Sequence, residues 1–98
     1  MEFKEDFLDS WQKVENMVYK TAVSKGWWEE RRSEAELIAL MHSELSEALE
    51  YVRIGNPADD KIPQFIGLEA ELADVVIRIM DMAYAHGLET CLRTARMI

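Results

Sequence analysis

From Gly67 to His86 the chain reads GLEAELADVVIRIMDMAYAH, and this segment restricts the fold more than any other. Successive residues of a helix turn by about 100°. Gly67, Glu71, Asp74, Arg78, Asp81 and Ala85 then share one narrow stripe. Leu68, Leu72, Val75, Val76, Ile77, Ile79, Met80, Met82, Ala83 and Tyr84 make almost everything else apolar. A helix that is apolar on nearly every side must be covered from several directions. A chain of 98 residues can build only a thin core. The missing burial is expected to come from a second copy.

The remaining segments are helical in rhythm as well. Residues 5–24 carry Phe7, Leu8, Trp11, Val14, Val18 and Ala22 at spacings of three and four, and Gly26 marks a stop after Lys25. Residues 26–32 form a loop with two adjacent tryptophans, Trp27 and Trp28. Ser33 and Glu36 make an S-x-x-E capping box, which starts a second helix at about Glu34; Gly55 ends it after Ile54. Residues 55–60, GNPADD, are dense in turn formers, and Pro63 excludes helix just before it. The third helix is expected over Phe65–His86, stopped by Gly87, and a short fourth over Glu89–Met97. Nothing reads as strand. The expected fold is all-α: one domain, residues 1–98, forming a small four-helix bundle that assembles as a homo-oligomer.

Charge and composition narrow the function. A net charge of −8 leaves no basic stripe to replace phosphate counterions, which argues against nucleic acid as a partner. Apolar runs such as Ala73–Ile77, broken by Asp74, are too short to span a bilayer. The N-terminal MEFKEDFLDSW is acidic and mixed, unlike a signal peptide. The single Cys91 cannot form an internal disulfide and fits a reducing cytosol, so a cytoplasmic location is expected.

Acids in unexpected directions point to chemistry. In the second helix Leu37, Leu40, Ala48 and Tyr51 fall within about 40° of Glu44, so Glu44 lies inside the apolar arc and Glu47 at its edge. The two middle helices thus each offer acids three residues apart, Glu44-x-x-Glu47 and Glu71-x-x-Asp74. Antiparallel packing would bring the pairs face to face. Clustered carboxylates repel in a low-dielectric setting and stay ionised only beside a cation. An all-oxygen set suits Mg²⁺ or Mn²⁺. A blander arrangement is open at this point: Asp74 and Arg78 form a surface i,i+4 ion pair, and Glu44 snorkels out beside Tyr51. Arg78 could instead touch a phosphate. Lys61 in the second loop and Arg32 beside the second helix are further cations within reach of one.

The block GWWEERRSEAELIALMHSELSEALEYVRIG followed by ELADVVIRIMDMAYAHGL resembles the MazG-like, all-α nucleoside triphosphate pyrophosphohydrolases over roughly residues 25–88. The resemblance implies a helical dimer or tetramer. It implies Mg²⁺-dependent cleavage of nucleoside triphosphates between the α and β phosphates, in a nucleotide-housecleaning role. By position it makes Glu44, Glu47, Glu71 and Asp74 the metal ligands. It places a loop aromatic against the base, Trp28 first and Trp27 next. It also implies phosphate-binding cations beyond the H-G-L region, where this sequence offers Arg93 and Arg96. Glu47, nearer solvent than Glu44, is expected to position or deprotonate the attacking water. The competing class is a non-catalytic helical oligomer that keeps the family's shape. A di-iron bundle would need Glu-x-x-His pairs, which neither His42 nor His86 provides.

Overall fold

The computed structural model describes residues 3–89 and 91–94. They form α1 (Glu5–Ser24), α2 (Glu34–Arg53), α3 (Gly67–Ala85) and a 3₁₀ turn (Cys91–Thr94). Among the described residues there is no strand, only an isolated antiparallel bridge between Ala58 and Ile66. Among the described residues there are three α-helices and a 3₁₀ turn; the expected fourth helix, Glu89–Met97, overlaps this turn and falls in part outside the described residues. Cys91 and Thr94 are weak helix formers, and the turn that contains them does not settle into α geometry. Thr90 and residues 95–98, including Arg96, lie outside the described residues.

Helix ends follow from local chemistry. The Ser33 hydroxyl accepts from the Glu36 N–H at 3.1 Å, fixing the start of α2. All three α-helices close in the same double-bonded way. The residue after the glycine reaches back to a carbonyl inside the last turn: Trp27 to Ala22 at 3.1 Å, Asn56 to Tyr51 at 2.8 Å and Leu88 to Ala83 at 2.9 Å. Gly26, Gly55 and Gly87 supply the positive φ this requires. Helix α3 begins two residues later than Phe65 because the loop takes up those backbone groups. The Asp59 N–H donates to Phe65 O at 2.9 Å, the Gly67 N–H to Pro57 O at 2.9 Å, and the Ile66 N–H to the Glu69 carboxylate at 3.0 Å.

The chain divides into two compact units. One is Ser33–Ile79, holding α2 and most of α3. There α2 and α3 run antiparallel: Tyr51 lies against Gly67, while Glu44, earlier in α2, reaches Arg78, later in α3. Leu37 and Ala48 are buried on the face of α2 that also carries Glu44. The other unit joins the segment up to Arg32 with the segment from Met80 onward. Leu8, Met80, Met82 and Ala83 are buried in it. An aromatic series runs beside them: Phe3 ahead of α1 with Phe7 and Trp11 along it, then Tyr19 with Tyr84 at 4.9 Å and with Trp28 at 6.2 Å.

Candidate metal centre

The antiparallel packing of α2 on α3 gathers three acids. Glu44, Glu47 and Glu71 each present a carboxylate oxygen, and these oxygens lie within 4.8 Å of one another. Glu44 and Glu47 share a face of α2 because they are one turn apart. Glu71 comes across from α3. Burial is graded: Glu71 is buried, Glu44 is half-buried and Glu47 is exposed. One oxygen of Glu71, Oε2, is buried with no hydrogen-bond partner. An orphaned acceptor of this kind is costly, and a cation would satisfy it. The donor set is all carboxylate oxygen, so the residues fit a hard divalent ion, Mg²⁺ or Mn²⁺.

Electrostatics confirms how tightly the acids crowd. Burial, then the hydrogen bond with Glu44 and the charges of Glu47 and Glu44, push the Glu71 carboxyl up to about 8. Burial acts in the same sense on Glu44, but there the hydrogen bond with Glu71 and the bond and charge of Arg78 outweigh it. Its pKa is lowered. The physical picture is one proton held on Glu71 and shared toward an ionised Glu44. Arg78 faces that carboxylate, with Nε 2.9 Å and Nη2 2.8 Å from Glu44 Oε1.

Asp74, the fourth expected ligand, lies outside the trio and is exposed. Partial burial and the charge of Glu44 still raise its pKa, against the lowering effect of Arg78. Glu47 opens onto a hollow of about 310 Å³ lined by Glu47, Glu50, Tyr51 and Ile54. Glu50 and Tyr51 were not read as site residues from sequence; their position one turn from Glu47 was the available signal. Lys61 is exposed in the loop, where its backbone N–H donates to the Asp59 carboxylate at 2.9 Å.

The other expected substrate contacts, Trp27, Trp28 and Arg32, belong to the other unit and form a cluster of their own. The Trp28 indole N–H donates to both carboxylate oxygens of Asp81, at 2.9 and 3.2 Å. His86 meets the Trp28 ring edge-on at 6.2 Å, and its Nε2 lies 3.0 Å from the Arg32 carbonyl. The Arg32 guanidinium sits 3.8 Å above the Trp27 ring while its Nε donates to the Trp27 carbonyl at 3.1 Å. Asp81, on the narrow stripe of α3, is buried under the indole it accepts from. Arg93 pairs with Glu5 at 2.7 Å and Glu89 at 3.3 Å.

Sequence reasoning also missed Glu15, the most buried side chain among the described residues at 1% exposure. Its Oε2 accepts from the Trp11 indole at 2.9 Å, and burial raises its pKa. The spacing Leu8, Glu15, Ala22 would have revealed it, since residues seven apart share a helix face.

Comparisons with protein-family models, curated proteins and solved structures give no match. Among the described residues, no helix is long and apolar enough to cross a membrane.

Proposed function

We propose that this protein is a Mg²⁺-dependent nucleoside triphosphate pyrophosphohydrolase. In this reading water attacks a triphosphate between its α and β phosphates, releasing a monophosphate and pyrophosphate. The observation that carries the reading is the convergence of Glu44, Glu47 and Glu71 around a buried oxygen of Glu71 with no partner. Composition explains nothing similar, because a net charge of −8 favours spreading acids apart, not gathering three of them.

Each residue then has a task. Half-buried Glu44, buried Glu71 and exposed Glu47 would hold the cation. Asp74, one turn from Glu71, is the fourth ligand the resemblance implies. When bound, the cation supplies charge neutralisation for the polyphosphate and makes water a better nucleophile. Glu47 is the acid nearest solvent and beside the hollow, so it positions the attacking water and takes its proton. Lys61, in the same unit as the trio, would approach a phosphate. The resemblance implies base stacking for Trp28, and after it Trp27. The Asp81 bond fixes the plane of the Trp28 indole. A second copy of the chain completes the fold.

A pyrophosphate-release assay across ribo- and deoxyribonucleoside triphosphates, with and without Mg²⁺, tests the reaction. Turnover should require the ion, and Glu47→Ala should lose at least about 100-fold in kcat, the low end for a general base, with helicity retained. A well-folded oligomer that binds Mg²⁺ and releases no pyrophosphate from any nucleotide would replace this reading with the non-catalytic one.

A further inference from the structure

We infer that Arg78 is a positioning residue for the cation site: it holds the Glu44 carboxylate in the orientation that lets the trio converge. The inference rests on the metal reading above and changes the expectation that Arg78 contacts a phosphate. Two of its nitrogens, Nε at 2.9 Å and Nη2 at 2.8 Å, meet the same oxygen, Glu44 Oε1. A carboxylate gripped through one oxygen by a planar fork loses rotation about its last torsion and keeps its second oxygen for another ligand. Arg78 and Glu44 sit on different helices, so the grip also sets the register of α3 on α2 at the level of the site. Both side chains are largely covered, 28% exposed for Arg78 and 14% for Glu44, so the pair is less screened than a surface ion pair. Carboxylates that bind metals are in turn held by hydrogen bonds, and loss of such a support typically weakens metal binding by roughly 10–100-fold.

A rival role makes the opposite forecast. If Arg78 were a counter-ion that merely occupies the cation's place, removing its charge would tighten metal binding. Lysine separates the two, because it keeps the charge and loses the fork. The experiment is Mn²⁺ titration of the full chain, followed by the paramagnetic resonance of the free ion, with Mg²⁺ competition and circular dichroism as a fold control. The variants are Arg78→Lys, Arg78→Met and Glu44→Gln. Positioning requires Arg78→Lys and Arg78→Met both to weaken Mn²⁺ binding by about tenfold or more, with Glu44→Gln at least as weak. Arg78→Lys equal to wild type, or Arg78→Met tighter than wild type, overturns it while leaving the metal site standing. A wild-type protein that takes up no Mn²⁺ overturns the metal site itself, and this inference with it.

Discussion

Glu71 keeps its proton to about pH 8 in the folded chain, against an ordinary carboxylate value of 4.5. The consequence for stability has a definite sign. Below 4.5 both folded and unfolded states hold the proton, and the stability is fully present. As pH rises from there to about 8, the unfolded chain gives up the proton and the folded chain does not, so stability is lost progressively. The slope is at most about 1.4 kcal/mol per pH unit for one group. In chelator, the melting temperature should fall over this window, and Glu71→Gln should flatten the fall. Saturating Mg²⁺ should flatten it too, because a cation favours the ionised form that burial penalises. A chelated wild-type protein whose melting temperature is level over that range would show that Glu71 ionises as freely folded as unfolded. Glu15 obeys the same sign through burial alone as its leading cause. Glu15→Gln keeps an acceptor for Trp11 and removes the titration. It should leave stability in acid nearly unchanged and raise it at alkaline pH, as read by urea denaturation.

At the scale of the elements, the close approach of α3 to α2 depends on Gly67. A Cβ at this position would overlap the Tyr51 ring. Gly67→Ala should therefore destabilise the protein by about 1–3 kcal/mol, the range for overpacking. Tyr51→Ala should absorb most of that penalty, so a double-mutant cycle by denaturant unfolding should show strong coupling. Independent, additive losses would mean the ring does not abut the glycine. Ser33→Ala should cost about 1 kcal/mol through the lost cap. These two sites also show what the sequence made legible. The Ser33 cap and the closing glycines act over three to six residues, so their helix ends could be read almost to the residue. The start of α3 could not, because Pro57 and Asp59 take the backbone bonds of Gly67 and Phe65 from a distance. The i,i+3 spacing foretold that Glu44 and Glu47 share a face, and antiparallel packing foretold Glu71. Asp81 escaped because its stripe looked polar throughout, and only the fold brings Trp28 over it. The partner of Arg78 escaped for a similar reason: its neighbour in sequence is Asp74, but the carboxylate it grips is across the helix pair.

For the whole molecule, the unsettled quantity is the apolar surface left to water. On α2, Ile38, Leu45, Leu49 and Val52 are 46–51% exposed and recur at helical spacing; on α3, Leu72, Val76 and Ile77 are 42–48% exposed. All belong to the unit that holds the acid trio. Scattered apolar residues on a surface are ordinary, but a stripe on each of two neighbouring helices marks a contact surface. A second copy of the chain suits it, since an isologous contact sets the same two stripes against themselves and asks nothing of charge complementarity. Sedimentation at micromolar concentration should then give a dimer or tetramer. Leu45→Arg should shift it to monomer and lower the melting temperature, while Lys13→Ala, an exposed substitution on α1, should leave both unchanged. Salt gives an independent sign. Each copy carries −8, so association brings like charges together, and screening them should strengthen assembly as ionic strength rises. Assembly held by ion pairs between copies would weaken instead. A wild-type chain that sediments as a monomer at every salt concentration, with Leu45→Arg equally stable, would leave these stripes without an occupant and the homo-oligomer without support.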